Sequence, residues 1–197
     1  MAKPNVVTKE ELIEAAKRCI VEKGIHSLTL KSVAEGAGVT QGTVYYHFRS
    51  KDQLMLEIVE SMCTSAWHSL ESMSKQEGEN THWIQAALHS AHDRTTKDAY
   101  FHKLLASLIV TGFTNEQIRQ KLEKLFQFEN QVLKEQMAAV LGDHELHGVS
   151  LEVWSVLFNA LIDGLAIQAL VAENTDIDGL YHHLHLLVNK LLEASRA

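Results

Sequence analysis

The sequence predicts an all-α chain, and three observations carry that prediction. Only one proline, Pro4, and ten glycines occur in 197 residues, so long stretches contain nothing that breaks a helix. Apolar side chains recur at helical spacing in almost every segment, without a strand pattern or a repeat between them. Hydroxyl residues stand where helix N-caps are needed, two of them three residues ahead of a Glu or Gln. With 46% hydrophobic and 22% charged residues, such a chain buries a substantial core in one or two units.

The first helix is expected over Thr8 to Lys23. Thr8 and Glu11 have capping-box spacing, Leu12, Ala16, Cys19 and Ile20 form one apolar stripe, and Gly24 supplies the stop. Thr29 caps a second helix, Leu30 to Ala37, with Val33 and Ala34 facing inward. Gly38 makes the turn, since glycine takes positive φ without steric cost. A short third helix then runs from Thr40, its cap, to Phe48. Leu30, Ala34, Val44 and Phe48 are the apolar contacts that make the pair a helix-turn-helix.

Ser50 and Gln53 repeat the capping-box spacing and open a long helix through Leu54, Ile58, Met62, Ala66 and Leu70 to about Met73, roughly 30 Å at the helical rise. Such a helix connects two parts of a chain mechanically. Ser74 to Asn80 reads as the loop that closes it. Helices follow over Thr81 to Thr96, Ala99 to Thr111, Asn115 to Leu141, Ser150 to Glu173 and Asp178 to Ser195. The resulting organisation is an N-terminal three-helix domain, residues 1-50, and a C-terminal helical domain, residues 51-197.

Net charge is −7, which alone argues against nucleic acid, but its distribution is uneven. Residues 1 to 54 hold eight Lys/Arg against six Asp/Glu, a balance of +2, which leaves −9 for the remainder. A weakly basic end on an acidic remainder fits a DNA-facing domain. Cys19 and Cys63 lie in helical apolar runs and read as small buried hydrophobes of a reducing compartment. No uninterrupted apolar stretch approaches the ~20 residues that cross a bilayer, and the expected location is cytoplasmic.

A helix-turn-helix reads bases from the first turns of its second helix and holds phosphate through hydroxyls, cations and helix ends. Thr40, Gln41, Gly42 and Thr43 occupy that position. Gln41 can donate to and accept from an adenine edge, and Thr40 or Thr43 can meet a thymine methyl or a phosphate. Gly42 costs a helix ~1 kcal/mol relative to alanine, which suggests a close backbone approach. Val44 and Phe48 face the core, so Tyr45, Tyr46 and His47 cannot all be buried. Lys51 opposes the macrodipole at the start of the long helix, a conflict that a phosphate relieves.

The run from Ala34 through Gly38, Val39, Gly42 and Thr43 to Tyr45, Tyr46, His47, Phe48, Lys51 and Leu54 resembles the DNA-binding domain of TetR-type regulators. The likeness covers roughly residues 8 to 55. It implies an all-helical homodimer with a helix-turn-helix DNA-binding domain and a C-terminal effector-binding and dimerisation domain, one that binds a palindromic double-stranded operator and is released by a small-molecule effector. It also implies DNA contacts at Thr29, Thr40, Gln41, Gly42, Thr43, Tyr45, Tyr46, His47 and Lys51, and Lys31 completes the expected contact set.

Candidate pocket residues in the second domain are Trp67, Trp83, His89, His102, Phe113, Phe126, Glu129, Trp154 and Phe158. Glu129 is singled out because a carboxylate on an apolar helix face either pairs internally or awaits a polar ligand. The run Ala160 to Leu170 is similar to the penultimate helix of many such regulators. Together with the last helix it would expose a large apolar surface on a monomer. The expected dimer interface is Leu157, Ala160, Leu161, Gly164, Leu165, Leu184, Leu187 and Leu191, with Asn159 and Asp163 hydrogen-bonding across it.

Twelve histidines raise a metal-dependent hydrolase as a competing reading. His89 with His92, and His182, His183 and His185, lack three ligands on one face, so no metal site is expected. No phosphate loop, G-x-S-x-G or H-E-x-x-H is present, so neither catalytic residues nor a cofactor are expected. A helical module that sequesters a ligand is the remaining alternative, and selection from random duplexes separates it from a regulator.

Overall fold

A computed structural model describes residues 7–76, 80–96, 100–142, 145–172 and 174–194, leaving aside the side chains of 69–76, 80–84 and 96. Part of the expected loop Ser74 to Asn80, the side chain of Trp83, and the expected helix limits Ala99, Glu173 and Ser195 fall outside that description. The described chain divides into two compact units, Met1–Met62 with Lys103–Leu122, and Cys63–His102 with Glu123–Ala197.

In the first unit, α1 (Lys9–Lys23) begins with a reciprocal capping box. The Glu11 N–H donates to Thr8 Oγ1 at 3.2 Å and the Thr8 N–H to Glu11 Oε2 at 2.8 Å. Its stripe Leu12, Ala16, Cys19 and Ile20 is buried. A 3-10 turn, Ile25–Ser27, leads to α2 (Leu30–Ala37), capped by Thr29 and Ser32 in the same reciprocal way. Gly38 ends α2 at φ 68°, and the bonds Val39 N–H to Ala34 O and Gly38 N–H to Glu35 O form a Schellman stop. α3 (Gln41–His47) follows, its Thr43 N–H bonded to the Thr40 cap.

α4 (Lys51–Gln76) is one helix, assigned to the first unit as far as Met62 and to the second from Cys63. At its start the Gln53 N–H donates to Ser50 Oγ, but the Gln53 side chain accepts from the Arg49 N–H instead of the cap residue. Leu54, Met55, Leu56, Ile58 and Val59 of α4 are buried, as are Leu104, Leu105 and Leu108 of α6 (Tyr100–Gly112).

The second unit takes its core from α5 (Asn80–Thr96), α8 (Leu151–Val171), α9 (Ile177–Ala194) and the later part of α7 (Glu116–Leu141). Ala91, Tyr181, Leu184 and Val188 form one buried cluster, and Met137, Leu146 and Leu151 another. Asn115 caps α7, accepting from the Gln117 and Ile118 N–H groups.

Before α8 the chain makes a two-stranded antiparallel hairpin, β1 (Glu145–Leu146) and β2 (Val149–Ser150), where the sequence predicted no strand. His147 and Gly148 turn it with φ of 53° and 72°, the two positive angles that a tight hairpin requires. Two-residue strands are too short to show alternation. Distant partners hold this hairpin in place: Trp154 Nε1 donates to Leu146 O at 2.9 Å, and His147 Nε2 lies 2.8 Å from Leu191 O.

Candidate functional site

The helix-turn-helix divides its side chains cleanly. Val44 and Phe48 are fully buried, while Gln41, Gly42, Tyr45 and Tyr46 stand in solvent and Thr43 and His47 are half-buried. Because α3 has only seven residues, one inward stripe uses Val44 and the next turn ends at Phe48, so the rest of the helix is left for a partner. Tyr46 is 73% exposed, a costly arrangement for packing alone. Thr29, Lys31, Thr40 and Lys51 are also exposed, so none of the ten expected contact residues is buried in the first unit.

Two details refine those expectations. The hydroxyls of Thr29 and Thr40 accept the N–H groups of Ser32 and Thr43 as caps, so their methyl groups and remaining hydroxyl capacity are what a partner can meet. Lys31 lies 3.9 Å from Glu35, both exposed, a pairing too weak to withhold its charge. Arg49, not among the expected contacts, places its guanidinium over the Tyr45 ring at 5.6 Å. It adds a cation to the same surface, and its position between Phe48 and Lys51 was the available clue.

The second unit contains a cavity of about 880 Å³ of empty space, counted out to its open mouth. Trp67 and Phe158 line it, two of the nine residues expected. Trp154 stacks on Phe158 with centroids 5.4 Å apart, one layer behind. His102 and Glu129 belong to an adjoining polar cluster, and Phe126 is half-buried outside the lining. His89 does not contribute: it is exposed and faces Asp93 at 3.6 Å. Phe113 is 80% exposed and lies in the first unit. His89 stands on the solvent side of α5, and Phe113 lies in the turn that follows α6, placements that composition does not reveal. The lining gains Arg94 and Asn159, which composition also gave no reason to select.

The polar cluster comprises Cys63, Arg94, His102, Glu129 and Asp163. Burial, then the neighbouring Asp163 carboxylate, push the Glu129 carboxyl above the usual range. Burial also raises the Cys63 thiol, which hydrogen-bonds Glu129. Glu129 is half-buried as a residue, but its carboxyl end is enclosed. His102 is 2% exposed, and its Nε2 is 3.6 Å from Asp163 Oδ1. Asn159 Nδ2 donates to Asn130 Oδ1 at 2.8 Å. Asn159 and Asp163 therefore find partners within their own chain.

α8 and α9 expose a second kind of surface. Val153, Val156, Leu157, Leu161, Ile167 and Val171 of α8 and Leu180 and Leu187 of α9 are exposed, with Ala160 between them. A side chain added at Gly164 would meet nothing within 4 Å. Leu165, Leu184 and Leu191 correct the expected interface: Leu165 and Leu184 pack into the cluster around Tyr181, and Leu191 lines the cavity. The rotation of α9 that buries Tyr181 and Val188 carries Leu184 inward with them. α8 reaches a mean hydropathy of 1.6, long and apolar enough by composition to cross a membrane, yet it carries Asn159 and Asp163 with partners in the same unit. Among the described residues no group of three His, Cys, Asp or Glu is placed to hold a metal.

Residues 12–58 match the sequence profile described as bacterial regulatory proteins, tetR family. The HTH-type transcriptional regulator SrpR of Pseudomonas putida is 28% identical over 167 residues, covering 83% of this chain and 75% of the relative. The HTH-type transcriptional regulator TtgR, also of Pseudomonas putida, is 26% identical over 188 residues, covering 91% and 81%. A solved transcriptional regulator from Rhodococcus sp. Rha1 shares the fold with a TM-score of 0.72 at 20% identity, over 97% of this chain and 99% of that one.

Proposed function

We propose that this chain, a helix-turn-helix transcriptional regulator of the tetR family, binds operator DNA as a repressor and is released by a small-molecule effector. The observation that carries the reading is the division of α3, with Val44 and Phe48 wholly buried and Gln41, Tyr45 and Tyr46 in solvent. Gln41 to Thr43 read base edges in the major groove, while Tyr45, Tyr46, His47, Lys51 and the hydroxyl-bearing caps Thr29 and Thr40 hold phosphate, with Lys31 at the margin. In this division of labour residues 1–50, joined by Lys51 at the start of α4, bind DNA, and the rest of residues 51–197 bind the effector and a second copy of the chain.

The exposure of Leu157, Leu161, Val171 and Leu187 on a single chain supports a homodimer in which these side chains are covered. Two copies related by a twofold axis present two recognition helices to a palindrome. The effector enters the cavity of the second unit. Trp67 on its wall and Lys51 in the DNA surface stand on one helix, α4, so displacement of that helix couples the two sites, reciprocally. The protein acts in the cytoplasm.

Selection from randomised duplexes tests the reading. A palindrome should be enriched, bound by a dimer in sedimentation. Enrichment of nothing, or of single half-sites by a monomer, overturns it.

A further inference from the structure

The cavity of the second unit is apolar except at a few points. Arg94 is the charged residue in its lining, and no carboxylate shares that lining among the described residues. Arg94 Nε is fully buried and has no hydrogen-bond partner, and the same is true of Trp67 Nε1. The rest of the guanidinium is thinly held: Nη1 reaches Ser90 Oγ only at 3.4 Å, and the group stands 5.8 Å from the centre of the Phe101 ring. Among the described residues it has no ion pair within 4 Å. A buried donor without an acceptor is unfavourable, and more so when it is charged. Both residues belong to the lining of one apolar cavity, and each carries an N–H group that lacks an acceptor, which together form a recognition pattern.

From this we propose that the effector is an apolar-bodied molecule with an anionic oxygen head, a carboxylate or its equivalent, received by Arg94 and Trp67. The inference rests on the reading of this cavity as the effector site. The planar guanidinium matches a carboxylate, and the indole N–H adds a neutral donor. A cationic head would meet Arg94 first, because Glu129 and Asp163 lie outside the lining. Phe158, Met137 and Ile162 supply apolar wall for the body of the ligand.

Isothermal titration of the full-length protein with 2-naphthoate and with 2-naphthylmethylammonium, which share a ring system and differ in head charge, provides the test. Naphthoate should bind at least about tenfold more tightly than the ammonium, the scale of one charge-assisted hydrogen bond. Arg94→Gln should remove that preference, Arg94→Lys should keep part of it, and Trp67→Phe should weaken naphthoate by about threefold, as expected for a neutral hydrogen bond. Equal or tighter binding of the ammonium, no binding of either probe, or unchanged naphthoate affinity in Arg94→Gln overturns the assignment. Should Arg94→Gln fail to fold by circular dichroism, the head-group ratio in wild type and the Trp67→Phe variant decide.

Gel shifts on the selected operator separate this inference from the reading beneath it. If the ammonium binds better and releases operator, the ligand class fails while effector release stands. If naphthoate binds through Arg94 and operator binding is unchanged, the head-group assignment stands and release through this cavity fails.

Discussion

In the helix-turn-helix region Thr8, Thr29, Thr40 and Ser50 each accept an N–H from three residues further along, whereas in the second unit Trp67, Arg94 and His102 hold buried nitrogens with no hydrogen-bond partner. The first region satisfies its polar groups locally and turns its functional side chains outward. The second gathers polar groups from five helices, α4 through Cys63, α5 through Arg94, α6 through His102, α7 through Glu129 and α8 through Asp163, and leaves some of them unmet. A surface that must fit one regular partner, the duplex, can be finished before that partner arrives. If the cavity of the second unit takes a small molecule, its unmet donors are what that ligand would complete.

If the DNA-binding region is rigid because of its small core, Phe48→Ala should cost about 3–5 kcal/mol, the usual range for a fully buried phenylalanine, and abolish DNA binding. Urea unfolding checks the first part and gel shift the second. A loss under about 1 kcal/mol would mean that packing is not what holds α3.

Next in size, Gln41→Ala should leave stability unchanged, since the side chain is exposed, yet remove about 1–3 kcal/mol of discrimination at one base position. Lys51→Ala should weaken all duplexes alike and reduce the salt slope by about one. Binding of selected and random duplexes across a salt series separates the two, and wild-type behaviour in both variants would remove α3 as the reader.

The two glycines give a finer contrast. Gly38 has φ 68° with open space around a would-be Cβ, so Gly38→Ala should destabilise by about 1 kcal/mol through backbone conformation alone. At Gly42 an added Cβ would meet only Thr40 Oγ1, at an ordinary 3.6 Å, so alanine should stabilise the fold by about 0.5–1 kcal/mol. DNA affinity should nevertheless fall, because the methyl group occupies space that the duplex backbone needs. Thermal melts alongside gel shifts read both, and undiminished affinity in Gly42→Ala would make that glycine a tolerated surface residue.

The smallest effect belongs to the second unit. Burial and Asp163 raise the Glu129 carboxyl above its ordinary value of 4.5, so the folded chain holds this proton more tightly than the unfolded chain does. Its contribution is complete below about pH 4.5 and is lost as pH rises through the raised native value. Glu129→Gln stays neutral, so its stability relative to wild type should grow across that window in urea titrations. Parallel pH profiles would show that the carboxyl is not enclosed.

Much of the first unit was legible because its decisive interactions join residues three or four apart. Thr8 with Glu11, Thr29 with Ser32, Gly38 with Ala34 and Val44 with Phe48 fix helix starts, the turn and the buried stripe within one stretch of chain, and the exposed residues of α3 follow by elimination. The start of α8 at Ser150 was legible for the same reason. Tertiary structure alone decided which way the longer helices rotate. It turned Leu165, Leu184 and Leu191 inward, left Leu157 and Leu187 outside, set Arg94 on a cavity wall and His89 in solvent, and anchored the His147–Gly148 hairpin through Trp154 and Leu191. An apolar helix such as α8 presents nearly equivalent faces, and only the partners brought from elsewhere in the chain determine which of them is buried.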